Sequence, residues 1–244
     1  MGRKLWWYGA FFAVLLGGFY FFIFKDEDLS RSPLAVINDH IDSFNFINQD
    51  GKRVTEKDVD GKVYVAEYFF TTCKGICPKM NANMRRVFDA YKEEPGFMIL
   101  SHTCMPETDS VTLLKAYETK MINGKLIKKE DGSFKIEYDT ASGKKMKTTN
   151  PNWNFLTGDK TALYKMARQG YKIDNNKPDS IQNIADQFIH TQFFALVDKQ
   201  QRLRGIYDGL KEDEILKLIG DIKGLLKEKA DHQHFMNNFS NNPN

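Results

Sequence analysis

The sequence has almost no excess of charge of either sign, and this excludes one broad class of partner. Its 244 residues include 35 Lys and Arg against 32 Asp and Glu. Arg3 and Lys4 precede an uncharged run, so the 220 residues from position 25 onward carry a net charge of only +1. Proteins that bind nucleic acid present a concentrated positive charge. We therefore predict no nucleic-acid partner.

Apolar residues are moderate in number overall but are concentrated at one end. Hydrophobic residues make up 41% and charged residues 27% of the chain, which is a globular balance and excludes disorder as the dominant state. Aromatic residues are frequent, at 13%, yet 10 of the 32 lie in Leu5–Phe24, a run of 20 residues without a charge. The aromatic excess is therefore a local property of the N-terminus.

The N-terminal run lacks the features of a removable leader. Twenty residues rise about 30 Å as a helix, enough to cross the hydrocarbon core of a bilayer. No small-x-small cleavage pattern follows the run, and no cysteine is placed to accept lipid. We predict a retained transmembrane signal anchor over residues 1–24, with Arg3 and Lys4 keeping the N-terminus in the cytoplasm. A cleaved signal peptide is the alternative.

The remaining chain reads as a tether, one domain and a tail. Residues 25–40 are polar and suit a tether, and residues 231–244 are Asn-rich and predicted to be disordered. Between them, residues 41–230 alternate strand and helix patterns, which predicts an α/β domain with helices flanking a mixed β-sheet. Residues 121–150 interrupt this pattern, and we interpret them as an inserted, exposed hairpin.

The element pattern within the domain is regular. Asp50-Gly51 predicts an early hairpin turn, and Thr108 with Asp109 can cap a helix. Strands are predicted at 62–70, 97–103, 153–156, 193–197 and 203–207, and helices at 78–94, from 111, after Asp159 and at 212–229.

Only three cysteines are present, but two of them stand where chemistry is expected. Cys73 and Cys77 lie in TTCKGICPKM, where the first buried strand gives way to a helix. Strand ends and helix N-termini converge at such places, and a helix N-terminus lowers the pKa of a nearby thiol. Pro78 suits the start of that helix.

The spacing of the pair leaves two chemistries open. Three residues separate Cys73 from Cys77, and at i and i+4 of a regular helix the Cβ atoms are about 5–6 Å apart, too far for a disulfide. A soft metal, above all Cu(I), can bridge that gap. Gly75 could instead allow a non-helical turn in which the disulfide also forms.

Histidine is the natural third donor to such a metal, and His190 is the best placed of five. It lies directly before the strand at 193–197, whereas His102 is inside a buried strand. From composition alone, however, a single histidine before a strand is more often structural.

Four segments in fixed order resemble the Sco/SenC family. They are TTCKGICPKM, PETDSVTLLKAY, WNFLTGDK and IHTQFFALVDKQQRLRGIYDG, all behind an N-terminal anchor. The family consists of membrane-anchored copper proteins with a thioredoxin-like fold that act in cytochrome c oxidase assembly. The likeness covers Asp42 to the last helix, apart from the stretch between Lys120 and Pro151.

The resemblance implies a function and a ligand set. Cys73, Cys77 and His190 would bind copper as Cu(I) and also as Cu(II), for delivery to the dinuclear copper A site of oxidase subunit II. Other copper chaperones or thiol reductases would be further partners. With the anchor, this implies a single-pass protein of the bacterial inner membrane, with a cytoplasmic N-terminus and a periplasmic C-terminal domain.

A different class of function uses the same atoms. A thiol-disulfide oxidoreductase needs only Cys73 and Cys77, one to attack and one to resolve. A copper-responsive redox sensor is a third interpretation.

The sequence also departs from the family pattern at Met105, where many members have the first Asp of Asp-Pro-Glu-x-Asp.

Two further residues have a structural and a functional interpretation. Cys104 at a strand end reads as a small buried hydrophobe, and the alternative is a sulfur that approaches the copper. Glu67 in an apolar strand needs a partner or a proton, which predicts a salt bridge or an exposed strand face, with tuning of the site as the alternative.

Overall fold

The computed structural model describes residues 2–24, 34–138, 152–174 and 191–228. The chain divides into two compact units, Met1–Arg31 and Ser32–Asn244. In the first unit, helix α1 spans Gly2–Phe24. Within the part of the chain that the structure describes, no helix is long and apolar enough to span a membrane. The transmembrane anchor stays a prediction.

In the part of the second unit that the structure describes, nine strands form two sheets. Seven of them form one mixed sheet in the order β2-β1-β7-β4-β3-β8-β9, and β5 pairs with β6 separately. The strands are β1 (Asn45–Asn48), β2 (Arg53–Thr55), β3 (Val63–Phe69), β4 (Phe97–Thr103), β5 (Lys125–Lys128), β6 (Phe134–Glu137), β7 (Trp153–Thr157), β8 (Phe193–Val197) and β9 (Leu203–Asp208). The predicted early hairpin is confirmed, with Gly51 at φ 72° in the turn between β1 and β2.

The two central strands carry the site at one end. Every residue of β3 and β4 is buried, as expected for strands covered on both faces. They run parallel with Phe69 opposite Thr103, so both end at the same edge of the sheet. Strand β8 pairs antiparallel with β3 on its other side, so β8 begins at that edge.

Helices cover both faces, which confirms the predicted mixed α/β architecture. They are α2 (Cys77–Tyr91), α3 (Val111–Asn123), α4 (Lys160–Lys165) and α5 (Glu212–Lys227), and a π-helical turn at Met166–Gly170 continues α4. Side chains of α2, α3 and α5 join one core cluster, and those of α4 join the cluster on the opposite face. Met80 and Met84 of α2 are fully buried in the cluster that α2, α3 and α5 share, so they are core residues.

The helix caps agree with the sequence in one case and differ in another. Asp159 caps α4 by accepting a hydrogen bond from the Ala162 amide. Helix α3, however, is capped by Ser110, whose hydroxyl accepts from the Leu113 amide. The capping role predicted for Thr108 and Asp109 is therefore wrong, because the Asp109 carboxylate accepts hydrogen bonds from two other side chains instead.

The β5–β6 hairpin lies within the predicted insertion but is not freely exposed. Helix α3 continues to Asn123, so the hairpin begins only after it. The side chains of β6 are partly buried, and the Arg86 guanidinium of α2 lies 4.2 Å from the centre of the Phe134 ring. The hairpin thus packs on α2 through an arginine–aromatic contact.

Residues 34–40, which the sequence assigns to the tether, are bound to β9. The amides of Ile37 and Asn38 donate to the Leu203 carbonyl, and the Leu34 carbonyl accepts from Arg204. The rest of the predicted tether and the predicted tail at 231–244 lie outside the described residues.

Candidate metal and thiol site

The loop between β3 and α2 places two thiols at the edge where the central strands end. Cys73 lies in the loop and is partly exposed, whereas Cys77 is the first residue of α2 and is only 5% exposed. Pro78 follows within the first turn, where its missing N–H costs no helical hydrogen bond. The position predicted for the cysteine pair is therefore confirmed.

Asp109 ties this loop to the sheet. Its carboxylate accepts hydrogen bonds from the Thr71 amide at 3.2 Å, the Thr71 hydroxyl at 2.5 Å and the Thr103 hydroxyl at 2.5 Å. It thereby joins the start of the cysteine loop to the end of β4. A buried carboxylate with several donors is strongly held, so the loop starts from a fixed point.

A cavity of about 330 Å³ lies beside the pair. Its walls are mainly apolar, and they come from the ends of β3 and β4, the cysteine loop and the start of β8. All three cysteines line it, as does the buried Thr191. The lining residues are Tyr68, Phe69, Phe70, Cys73, Lys74, Gly75, Ile76, Cys77, Cys104 and Thr191.

The two thiols of the pair are close and reduced. Residues 73–76 are not helical, so the helical spacing that argued against a disulfide does not apply here. Cys73 and Cys77 are near enough for the Cys73 thiol to raise the pKa of Cys77, and both are free thiols. The arrangement suits either a bridging metal or oxidation to a disulfide.

The electrostatics of Cys77 differ from the expectation for a helix N-terminus. Burial, chiefly, and the hydrogen bond with Cys73 raise the pKa of the Cys77 thiol well above its usual range. A backbone hydrogen bond with Phe70 lowers this pKa, but its effect is smaller. The expected lowering of the pKa is therefore wrong for Cys77, since loss of hydration outweighs the favourable helix end.

Glu67 lies buried on the sheet beneath the same helix. It is fully inaccessible and forms no ion pair with a described residue, so the expected salt bridge or exposed face is wrong. Ser101 donates a hydrogen bond to its Oε1 at 2.6 Å, while Trp153 Nε1 donates to Ser101 Oγ at 2.9 Å. Burial raises the pKa of Glu67 to about 8, so the carboxyl is mainly protonated at neutral pH.

The remaining candidates are divided between the core and the undescribed segments. His102 is fully buried, and burial lowers its pKa to about 3. Cys104 is buried at the end of β4, as one interpretation predicted, but it also faces the cavity. His190 lies outside the described residues, one position before Thr191. Among the side chains that are described, no three His, Cys, Asp or Glu residues form a ready metal site.

The donor set has a clear chemical preference. Two thiols in an apolar cavity suit a soft ion such as Cu(I) and suit hard ions such as magnesium poorly. The same pair can exchange thiol for disulfide, because one sulfur is accessible and the other is adjacent. The cysteine pair thus fits copper and redox exchange alike.

Comparison with known proteins identifies the relatives of this site and fold. The family model described as SCO1/SenC matches residues 35–128 and 137–227. A SCO1 protein homolog of Bacillus subtilis is 29% identical over 189 residues, covering 77% of this chain and 83% of the homolog.

Two solved structures have the same fold. BsSco, a member of the Sco family of cytochrome c oxidase assembly proteins in which a disulfide switch was identified, matches with a TM-score of 0.58 and 27% identity over 80% of this chain and 98% of its own. Bradyrhizobium japonicum ScoI, solved with copper bound, matches with a TM-score of 0.52 over 77% of this chain and 99% of its own. At 19% identity, the second match shows the fold alone. With a family model that spans most of its length, the chain belongs to the SCO1/SenC family.

Proposed function

We propose that this protein is a copper chaperone for the copper A site of cytochrome c oxidase subunit II. The observation that carries the proposal is the pair of reduced, adjacent thiols of Cys73 and Cys77 on an apolar cavity. Copper is the cargo, held by these two sulfurs as Cu(I) and also bound as Cu(II). Family membership supports the assignment, because BsSco belongs to a family of oxidase assembly proteins.

His190 completes the ligand set in this proposal. The support is its neighbour Thr191, which lines the cavity that the cysteines line. His190 directly precedes Thr191 in the sequence, and an imidazole is a suitable third ligand for either copper state.

The two cysteines have different parts in the transfer. Cys73 is the more accessible sulfur, so a ligand from the acceptor protein can displace it first. Cys77 is buried and holds the ion until the acceptor has engaged it. Each thiol gives up its proton to solvent when its sulfur binds copper. Other copper chaperones or thiol reductases would reload and reduce the pair.

The anchor and localisation belong to the same proposal. The uncharged run at Leu5–Phe24 supports a bilayer-embedded helix. We place the domain in the periplasm of a bacterial inner membrane, where it can meet subunit II. Resistance of the full chain to alkaline extraction, together with protease access from the periplasmic side only, would support this placement. Release by alkali would contradict it.

The test of function offers the reduced, Cu(I)-loaded chain to two forms of the copper A domain. A chaperone transfers copper to the reduced apo domain. The alternative function, a thiol-disulfide oxidoreductase, reduces the disulfide-bonded domain without transferring copper, and the close thiol pair and the disulfide switch of BsSco favour it as second candidate.

His190→Ala separates the two functions. For a chaperone, this variant should lose the nitrogen ligand seen by X-ray absorption and transfer copper at least about 10-fold more slowly, whereas disulfide reduction should be unchanged. Cys73→Ser/Cys77→Ser should abolish both reactions. Unchanged nitrogen coordination in His190→Ala would refute the three-ligand site.

A further inference from the structure

The near-neutral charge of the domain conceals an uneven distribution. Residues 71–88 contain Lys74, Lys79, Arg85 and Arg86 and no acidic residue. Residues 125–137 contain four lysines against three acidic residues. Because the 220 residues from position 25 onward carry a net charge of only +1, the residues outside these two segments have a net charge of −4. Positive charge is therefore concentrated in two segments, the first of which carries the cysteine pair.

Packing of the β5–β6 hairpin on α2 places the two segments side by side. The Arg86 guanidinium lies 4.2 Å from the centre of the Phe134 ring. Arg85 donates a 3.1 Å hydrogen bond to the carbonyl of Gly124, which directly precedes β5. Lys79 comes seven residues before Arg86, which is about two helical turns, so both side chains lie on the same face of α2. The hairpin therefore extends the positively charged face of this helix.

Three exposed lysines give this surface its charge. They are Lys74, Lys79 and Lys128, and we call the surface that they share the basic face. Lys128 Nζ lies 5.8 Å from the centre of the Phe134 ring, on which Arg86 also packs, so its place beside α2 is fixed. In the part of the chain that the structure describes, neither Lys74 nor Lys79 has an ion pair. Their charges are therefore available to a partner.

The thiol pair lies at one end of the basic face. Lys74 stands between the two cysteines in sequence and lines their cavity, and Lys79 is in the first turn of α2, two residues after Cys77. Between the two lysines, the side chain of Ile76 is 42% exposed. A partner that reaches Cys73 therefore meets an apolar side chain flanked by positive charge.

Copper transfer makes contact with this surface unavoidable. Ligand exchange requires a donor atom of the acceptor to reach the ion at Cys73, so the acceptor must cover the cysteine loop. Carboxylates placed opposite the lysines would speed the encounter and fix its orientation, because charge complementarity acts mainly on association and register. Anionic lipid would match the charge as well, but a lipid surface offers no ligand to the copper.

We propose that the basic face docks on a carboxylate-rich surface surrounding the copper site of the acceptor protein. The proposal rests on the proposed function, because it takes the copper acceptor as the partner. Ile76 lies at the centre of the contact, and the lysines of the basic face pair with acidic side chains of the acceptor. These lysines steer the encounter, whereas the thiols hold the ion.

The test measures copper transfer from the full-length, reduced, Cu(I)-loaded chain in neutral detergent to the reduced apo copper A domain. The second-order rate constant should fall at least about 10-fold between about 10 and 150 mM salt, because the Debye length shortens from about 30 to 8 Å. At the lower salt concentration, Lys79→Glu/Lys128→Glu should transfer at least about 10-fold more slowly and should lose most of the salt dependence. Lys79→Gln/Lys128→Gln should give an intermediate rate, since it removes the charges without reversing them.

Lys52→Glu/Lys57→Glu is the matched control, with the same change of net charge at the opposite edge of the sheet. Lys52 lines a cleft with Met98 near the start of β4, and the Glu56 carbonyl beside Lys57 accepts a hydrogen bond from Gln201 between β8 and β9. This pair should change the rate by no more than about twofold, because it lies beyond a Debye length at the higher salt concentration. An equal loss in both glutamate pairs, or no loss in either, would overturn the docking surface.

Lysine acetylation distinguishes a protein partner from a lipid surface. The copper A domain should protect Lys74, Lys79 and Lys128, but not Lys52, from acetylation by an activated ester, measured by mass spectrometry. With the full-length chain in phosphatidylcholine vesicles, adding phosphatidylglycerol should leave the acetylation of these lysines unchanged. Protection by phosphatidylglycerol and not by the copper A domain would contradict docking on the acceptor.

The outcome is distinguishable from failure of the proposed function. If no copper were transferred while the copper A domain still protected the basic face, the chaperone proposal would fail and the docking surface would stand. If copper is transferred at a rate that is independent of Lys79 and Lys128, only the docking surface fails.

Discussion

Ser101 donates a 2.6 Å hydrogen bond to Glu67 across the two central strands, directly opposite it in the parallel register. The other carboxyl oxygen, Oε2, has no hydrogen-bonding partner among the described residues. A carboxyl in this state is a neutral acid at neutral pH, since ionising it would place an uncompensated charge in the core.

Glu67→Gln is expected to remove a pH dependence of stability. The pKa of Glu67 is about 8 in the folded chain against 4.5 unfolded, so between these values the folded state holds a proton that the unfolded state lacks. The free energy of unfolding therefore falls as pH rises from 4.5 to 8, by at most about 1.4 kcal/mol per pH unit from this group. Glutamine keeps the acceptor for Ser101 and cannot ionise. Urea unfolding across this range should show a flatter profile in the variant.

Glu118→Gln is the matched control for Glu67→Gln. Glu118 is similarly buried but is paired with Lys115, so Glu118→Gln should lower stability through loss of that ion pair. A profile in Glu67→Gln as steep as that of the unmodified chain would show that Glu67 is charged in the core after all.

His102→Phe is expected to protect the fold in acid. The ring of His102 stacks on Tyr68 at 5.0 Å between centroids and meets Phe46 edge-on at 5.4 Å. Burial lowers its pKa to about 3, so unfolding takes up a proton between pH 3 and 6.5 and stability falls as pH falls through that window. Phenylalanine keeps the ring contacts and does not titrate. The gain in unfolding free energy of the variant over its parent should be roughly 3 kcal/mol larger at pH 4 than at pH 7.

The exposed His40 supplies the control for this effect. His40→Gln removes an exposed histidine and is measured alongside as the control for the loss of a histidine side chain. A His102→Phe variant that loses stability in acid as steeply as its parent would contradict the assignment of a neutral, buried imidazole.

Asp109→Ala is expected to loosen the cysteine loop. Truncation leaves the Thr71 amide and the hydroxyls of Thr71 and Thr103 without their shared acceptor, at a cost of about 2–3 kcal/mol in unfolding free energy. It should also weaken Cu(I) binding, because the loop carrying Cys73 loses its fixed start. Chelator competition and urea unfolding measure the two effects.

Thr108→Ala provides the comparison, because Thr108 is exposed and its hydroxyl donates a hydrogen bond to the Met105 carbonyl. It should change stability by no more than about 0.5 kcal/mol. If Asp109→Ala bound copper as tightly as Thr108→Ala, the loop would be positioned by other contacts.

The sequence predicted most of the sheet because its strands are strongly apolar and its helices follow directly on them. Val63–Phe69 and Phe97–Thr103 could be assigned from residue type alone. The position of the Cys73–Cys77 pair followed from the same pattern, since a buried strand runs straight into a helix that begins with Cys-Pro.

Properties that depend on contacts distant in sequence could not be predicted in this way. The raised pKa of Cys77 comes chiefly from burial, and the protonated state of Glu67 comes from its complete burial in the assembled sheet. Asp109 was assigned to a cap because its local sequence allows one, whereas the sheet brings Thr71 within its reach. The shared cavity of Cys104 likewise arises only once β3 and β4 are paired.

Arg86→Ala is expected to release the β5–β6 hairpin from α2. The guanidinium lies over the Phe134 ring and makes two hydrogen bonds of 2.6 Å to Glu212, so Glu212 on α5 holds it in place. Removing it eliminates a cation–π contact of about 0.5–2 kcal/mol and the ion pair that orients it. Hydrogen exchange of the amides in Lys125–Lys128 and Phe134–Glu137 should become roughly 10-fold faster.

Lys135→Ala tests whether any charge change in the hairpin has this effect. Lys135 pairs with Glu137 on its own strand, so its loss should leave the protection of the hairpin amides within about twofold of the parent. Phe134→Ala should reproduce the effect of Arg86→Ala, because it removes the other half of the same contact. Full protection of the hairpin amides in both variants would contradict the role of Arg86. The hairpin would then be held by the packing of Ile136 against the core, and Ile136→Ala would be the substitution that frees it.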